Sequence, residues 1–343
     1  MLRVALDTQF ALGTPTGLGV YATRVAHALR ARGDVDVVEL RDDRFDLWRF
    51  DRRVYWDQLR ARRLAREAHA DVVHWTGGTL PWRPAHPCVL TLHDLAWRRA
   101  GNRGRAHIRW YFGRWQPRLA RSADKLVTDT HAARADIADA LRIDPERIAV
   151  AGAGVDERFF GLERKPQTPP VVLAVGTVEE RKDLLTAVRA IACTTDARLI
   201  SVGPLTPYAD EVRREIERLN IGARVELRGF VADEELLGLY EQATALIAPS
   251  RYEGFDLPPL QALAAGVPVI ASDIPVHREV LGDAAWYAPA TDDSAFAALL
   301  DIAASGGPAV HNRVRLGRTI AGGFTWAAVA ARLMNVYQEV CVG

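Results

Sequence analysis

Short apolar runs recur along the whole chain. Each is followed by a longer stretch in which apolar positions return every three or four residues. The runs at 2–6, 35–40, 72–75, 89–92, 125–128 and 148–151 are rich in valine, leucine and isoleucine and read as strands. A second set follows at 171–175, 197–202, 225–228, 245–248, 267–271 and 285–287. A strand buried on both faces must be apolar throughout rather than at alternate positions, so the pattern predicts parallel sheets covered by helices on both sides. Between the two sets lies 162–170, with prolines at 166, 169 and 170 that forbid helix and ladder alike. Two α/β domains are therefore expected, 1–163 and 170–320, facing each other across a cleft that is the default place for a ligand. The tail, 321–343, predicts one amphipathic helix with Thr325 as its N-cap.

Length and composition sharpen this picture. A chain of 343 residues exceeds the usual span of one core. No apolar run reaches membrane-spanning length, and a strand at 2–6 leaves no room for a signal peptide. Cys88, Cys193 and Cys341 form neither a zinc spacing nor an even disulfide set, which points to a reducing, cytoplasmic setting. The net charge of +1 conceals an asymmetry: residues 1–160 carry 27 Lys/Arg against 20 Asp/Glu, the remainder 17 against 23. No nucleic-acid-binding motif accompanies the basic half, so nucleic acid is not an expected partner. The basic excess gathers in two arginine- and aromatic-rich stretches. One, 45–66, includes Trp48, Arg49, Arg53, Tyr55, Trp56 and Arg60; the other, 97–121, includes Arg103, Arg105, Arg109, Trp110, Arg114, Trp115 and Arg118. Arginine mixed with tryptophan suits an anionic membrane surface. The same pattern fits amphipathic helices with aromatic core positions and solvated arginines, and the sequence leaves both readings open.

Candidate chemistry sits at strand ends. After the run at 245–248, the chain turns through Glu253, Gly254 and Phe255 into a helix that Gly266 ends and Pro268 seals. A carboxylate is thus held in a loop at the carboxyl end of a strand, where open α/β sheets bind ligands. Arg181 and Lys182 follow another strand, at a helix start, and two adjacent cations there could neutralise a diphosphate or be plain solvated surface. His93 and Asp94 follow the strand at 89–92, where such a pair is either structural or a hydrogen-bond donor to a reacting hydroxyl. Gly17 and Gly19 open the first helix and would let backbone N–H groups approach a ligand. The segment from Arg228 to Val231 ends a further strand. No Asp-x-Asp follows a strand, and no Ser-His-Asp set appears, so neither a metal nor a hydrolase is expected.

Together these segments resemble the retaining nucleotide-sugar glycosyltransferases of family 4. Glu253-Gly-Phe-Asp-Leu-Pro with Gln261 is similar to the family's Glu-Gly-Phe-Gly-Leu-Pro-x-x-Glu, with Gln261 in place of the second glutamate. Thr16-Gly17-Leu18-Gly19-Val20-Tyr21 resembles Gly-Gly-x-Gly-x-Tyr. Gly176 to Asp183 resembles Gly-Thr-x-Glu-x-Arg-Lys-Asn. The resemblance runs from residue 2 to the last helix. It implies a GT-B fold, α/β, of two facing Rossmann-like domains with parallel sheets: an acceptor domain, a donor domain and a helix returning to the first. It further implies that Arg181, Lys182 and the Gly17/Gly19 backbone stabilise the leaving diphosphate, so that no metal or cofactor is needed. His93 would touch the donor sugar and Glu253 would lie near it. The backbone from Arg228 to Val231 would read the base, and Phe255, Asp256, Leu257 and Gln261 would complete the donor site, with Gln261 on the ribose. The implied reaction moves a hexosyl group to an acceptor hydroxyl by front-side attack through an oxocarbenium-like ion pair, with the diphosphate taking the proton. The motif version favours GDP-mannose over UDP-glucose or a deoxysugar donor, with a glycan or lipid-linked acceptor and peripheral contact at the inner face of the membrane. A GT-B phosphorylase, a nucleotide-sugar epimerase and an inactive sugar-nucleotide-binding partner are the alternatives.

Overall fold

The computed structural model of the chain describes residues 1–13, 17–45, 50–85, 87–99 and 106–342. Among these, 1–98, 106–154 and 325–342 form one compact unit and 155–324 a second.

The first unit is built on six strands: β1 (Leu2–Asp7), β2 (Val35–Leu40), β3 (Val72–Trp75), β4 (Cys88–Thr91), β5 (Lys125–Thr128) and β6 (Ile148–Val150). Their order is β2-β1-β3-β4-β5-β6, and every pair is parallel. Side chains alternate across the sheet, so Val4 and Leu6 of β1 enter the core on one face while Ala5 enters the other. The first face is covered by the helices Gly17–Arg32 and Trp326–Val342, through Val25, Leu29, Leu333, Val336 and Tyr337. On the other face Trp56, Trp75, Leu90, Leu119 and Ile137 pack together. His74 of β3 is sealed between the Tyr337 hydroxyl and Thr91 Oγ1, both 2.7 Å away. Burial, helped by nearby His93, pushes its pKa down to about 3, so the ring is neutral and pins the last helix to the sheet without charge.

Gly19 has a steric reason to be glycine: a Cβ there would lie 2.3 Å from the backbone oxygen of Phe10. Gly19→Ala is expected to cost about 1–3 kcal/mol of stability, as overpacking does, read as a lowered urea midpoint. Gly17→Ala, whose Cβ would meet nothing within 4 Å, is the control expected to hold the midpoint.

The second unit carries β7 (Val171–Val175), β8 (Arg198–Val202), β9 (Val225–Gly229), β10 (Ala245–Ala248), β11 (Val269–Ser272) and β12 (Trp286–Ala288). From one edge the order is β9-β8-β7-β10-β11-β12, again all parallel. This is the 3-2-1-4-5-6 arrangement of dinucleotide-binding sheets, whose strand order reverses between β7 and β10. Leu199, Ile247 and Ile270 bury against Val188, Ile191 and Phe296 of the covering helices. The predicted strand at 267–271 begins two residues late. Pro268 has no N–H for the ladder, and Val267 N instead donates to Ala262 O around Gly266, which ends the helix Leu257–Ala265 at φ +73°.

The proline-rich 162–170 segment lies within the second unit, and the chain passes between units at Gly154–Val155. Lys165 N and Gln167 N donate to Glu241 O and Gln242 O, the unpaired carbonyls that end the helix Asp233–Gln242. Prolines here mark an irregular strap that a helix end holds at Lys165 and Gln167.

Candidate active site

β7 leads on to β8 and β10 to β11, in opposite directions along the sheet, so their loops diverge and leave a crevice at the strands' carboxyl ends. The loop after β7 passes Gly176, at φ +139°, then makes a single 3-10 turn, Glu180–Lys182. Arg181 and Lys182 therefore sit on a turn before the helix Leu184–Cys193, not on its first turn as the sequence suggested. Asp183 between them and the helix adopts a left-handed φ of +49°. It accepts from Arg251 Nε at 2.9 Å and Thr186 Oγ1 at 3.0 Å, so the aspartate keeps the acceptor role expected of an asparagine there. Arg251 N also donates to Arg181 O at 2.8 Å, which stitches the loop after β10 to the loop after β7.

That stitching gathers the charges. Glu253 pairs with the Arg181 guanidinium, and its Oε1 lies 2.7 Å from Lys182 Nζ, an ion pair off the direction of a hydrogen bond. Lys182 Nζ is also 2.6 Å from Asp256 Oδ1, and Arg181 Nε is 2.7 Å from Glu179 Oε1. Burial alone would lower the Lys182 pKa; the charges of Asp256 and Glu253 outweigh it and hold the ammonium above its ordinary value. Burial would likewise raise Asp256, but Lys182 and His277 hold it well below the carboxylate range. A pocket lined by Gly176, Thr177, Lys182, Ser250, Asp256 and Pro258 opens beside this cluster. It offers a phosphate the Lys182 ammonium, which already shares its charge with two carboxylates.

Phe255 is buried and meets Phe324 edge-on at 5.8 Å, anchoring the loop, and Leu257 opens the following helix. Gln261, one turn along that helix, is half-buried, with Oε1 3.3 Å from the Tyr240 hydroxyl. Arg228 and Val231 stand apart, at the end of β9. The Arg228 guanidinium pairs with Glu226 at 2.7 Å and Glu235 at 3.1 Å, and nearby Phe230 is exposed.

In the first unit, His93 projects beyond β4 and its Nδ1 donates to Asp129 Oδ2 at 2.6 Å. Burial opposes its charge, but Asp129, with a smaller share from Asp94, raises the imidazole pKa above its ordinary value. The neighbouring Asp94 does other work, accepting from Ala96 N at 2.9 Å. Tyr21 meets the His93 ring edge-on at 4.6 Å. Gly17 and Gly19 lie in the first turn of their helix, and Thr16 lies outside the described residues. Sequence reasoning missed Asp129. Its signal was a lone acid just past the strand at 125–128, before Thr130, which caps the helix His131–Leu141.

The arginine-rich stretches divide. Trp48, Arg49, Arg103 and Arg105 lie outside the described residues. Trp56 is fully buried, Arg53 pairs with Asp57 at 2.8 Å, and Arg60 pairs with Asp42 at 2.7 Å, so this part of the first stretch is core and internal ion pair. The second stretch differs. Trp110 is 61% exposed and meets Trp115 edge-on, Trp115 meets the 55% exposed Trp82 at a tilt of 36°, and Arg118 lies over the Trp115 ring.

Residues 155–318 match the family described as Glycosyl transferases group 1, and 15–159 match Glycosyltransferase Family 4. The MMP alpha-(1->4)-mannosyltransferase of Mycolicibacterium hassiacum is 30% identical over 314 residues, 82% of this chain and 74% of that one. The O-antigen chain mannosyltransferase RfbU of Salmonella typhimurium is 31% identical over 172 residues, 50% of this chain and 48% of its own length. Sucrose-phosphate synthase of Thermosynechococcus elongatus superposes with a TM-score of 0.81 at 20% identity, over 99% of both chains. Anabaena HepE in complex with UDP-glucose does so with 0.76 at 16% identity, over 99% of this chain and 100% of its own, a likeness of fold. With both units matched and the Mycolicibacterium enzyme aligned along most of the chain, this protein belongs to the family 4 glycosyltransferases and has their GT-B fold.

Proposed function

We propose that this glycosyltransferase moves a hexosyl group, mannosyl first among the candidates, from a nucleoside diphosphate sugar to an acceptor hydroxyl with retention of configuration. The observation that carries the reading is the pairing of Arg181 and Lys182 with Glu253 at the point where the second sheet reverses its strand order. Two cations there stabilise charge as it develops on the departing diphosphate, which is worth most in a site sheltered from water. They do the neutralising work of a divalent ion, so transfer proceeds without one. In this reading Glu253 lies at the sugar, His93 donates to one of its hydroxyls, and Gln261 receives the ribose. The second unit takes the donor and the first the acceptor. The names of the Mycolicibacterium and Salmonella relatives support mannose, hence GDP-mannose as the first donor to try. The UDP-glucose in the Anabaena structure supports UDP-glucose as the second.

Incubation with labelled GDP-mannose, UDP-glucose and related donors, with glycan and lipid-linked acceptors, tests this. Glycoside formation with the donor's anomeric configuration supports it. Donor binding without turnover favours an inactive partner, and a phosphate requirement favours a phosphorylase. Gln261→Glu is expected to keep activity and tighten donor binding, and Gln261→Ala to weaken it, by calorimetry. Unchanged affinity in both would take the residue out of the site.

Among the described residues no helix is long and apolar enough to cross a membrane. The exposed tryptophans Trp82 and Trp110, with Arg114 and Arg118 beside them, support peripheral attachment of the first unit to an anionic surface and a lipid-linked or anionic glycan acceptor. Flotation with phosphatidylglycerol liposomes is expected at low salt and is expected to weaken at high salt. A chain that stays at the bottom of the gradient at low salt points to a soluble acceptor.

A further inference from the structure

Asp256 stands where the family signature has glycine, in the left-handed region at φ +68°, which a side chain disfavours. Its carboxylate is nearly sealed from solvent and is held at both oxygens: Oδ1 lies 2.6 Å from Lys182 Nζ and Oδ2 lies 3.0 Å from His277 Nε2. His277 comes from the helix Pro275–Leu281 and is 1% exposed. Its other ring nitrogen, Nδ1, is 2.9 Å from Ser272 O and 3.2 Å from Ser272 Oγ. An ionised Asp256 only accepts, so Nε2 carries a hydrogen and donates it to Oδ2. The depressed pKa of Asp256 agrees with this ionised state.

The chain therefore places three linked groups in a row, imidazole, carboxylate and ammonium, and the carboxylate is one a glycine could not supply. A carboxylate added beside a diphosphate site repels the ligand unless its charge is offset. Lys182 cannot offset it and also serve a phosphate at full strength. His277 approaches Asp256 from inside the protein and donates a hydrogen bond that disperses part of that charge.

We propose that Asp256 and His277 form a positioning pair for the diphosphate-binding lysine: His277 donates a hydrogen bond that fixes the Asp256 carboxylate, and that carboxylate fixes the Lys182 ammonium at the pocket lined by Gly176, Thr177 and Ser250. This rests on the reading that Lys182 meets the diphosphate. His277 touches no ligand and acts through Asp256.

Calorimetry on the full chain with GDP and UDP, and with guanosine and uridine as controls lacking phosphate, tests it. His277→Ala is expected to weaken binding of the preferred nucleoside diphosphate about tenfold, the share of one charge-assisted hydrogen bond, and to leave the nucleoside unchanged. In the Asp256→Gly background the same substitution is expected to change neither, since the carboxylate it serves is gone. Equal loss in both backgrounds, or equal loss for nucleoside and diphosphate, would make His277 a packing residue and overturn the proposal. Unchanged diphosphate binding in His277→Ala would overturn it as well. A wild-type chain that binds neither GDP nor UDP overturns the donor-site reading itself, and the pair's role with it. If His277→Ala fails to fold, His277→Phe, which fills the ring's space but cannot donate to Asp256, bears the same comparison in both backgrounds.

Discussion

Lys182→Ala is expected to lower kcat/KM by about 30- to 1,000-fold, the equivalent of about 2–4 kcal/mol of transition-state stabilisation. Arg181→Ala is expected to fall in the same range. Lys182 has the second effect of the two, because it is the shared partner of Glu253 and Asp256, both nearly buried. Removing it leaves Glu253 to Arg181 and Asp256 to His277, a loss of about 1–3 kcal/mol. The pH dependence follows in sign. In the wild type, Asp256 has a depressed pKa, so its contribution is present above the ordinary carboxylate value and lost only in strong acid. The Lys182 pKa is raised, so its contribution is complete below the ordinary lysine value and lost only as pH rises through the higher folded one. The cluster therefore holds across the neutral range. In Lys182→Ala burial acts on Asp256 with less opposition and its pKa rises toward the ordinary carboxylate value, so the deficit is full at neutral pH and narrows in acid. Thermal melts across the neutral and acid ranges are expected to show the larger deficit at neutral pH and the smaller in acid. Near-normal turnover in both variants would remove the diphosphate assignment.

Asp129→Asn is expected to lower the His93 pKa and reduce turnover by about 10- to 150-fold, the value of one hydrogen bond to a charged group. Burial favours the neutral ring, and Asp129 is the largest influence holding the pKa above its ordinary value, so the substitution reverses the balance. A raised folded pKa stabilises fully below the ordinary histidine value and is lost as pH rises through the folded one. The stability gap between wild type and Asp129→Asn is therefore expected to be widest in mild acid and to narrow with increasing pH. Imidazole resonances followed by NMR titration check the shift directly. A His93 that titrates unchanged in Asp129→Asn would show that the carboxylate does not govern it.

Most of the architecture was legible because strands buried on both faces must be apolar throughout. The six-strand sheets follow from runs such as 72–75 and 245–248; several strand ends differ from the runs by one residue, and the two-residue shift at 267 comes from Pro268. Arg181, Lys182 and Glu253 were legible as strand-end charges, and the structure brings them into contact. Their partners were not. His93 takes its carboxylate from Asp129, 36 residues on, because β4 and β5 lie side by side. Its place just past β5 marks it as a strand-end acid, but only the pairing of β4 with β5 shows that it, and not the adjacent Asp94, meets the ring. His277 reads as an ordinary helix residue until β10 and β11 pair and bring it to Asp256. Arg53 and Arg60 read as surface because arginine usually is. Asp57 and Asp42 turn them inward, and only packing reveals that.

A crystal structure of the chain grown with GDP or UDP tests the diphosphate site most directly. The expected result is a diphosphate beside Gly176 and Thr177, within hydrogen-bond distance of Lys182 Nζ and the Arg181 guanidinium. A diphosphate bound elsewhere on the chain, with Lys182 still held only by Glu253 and Asp256, would contradict it.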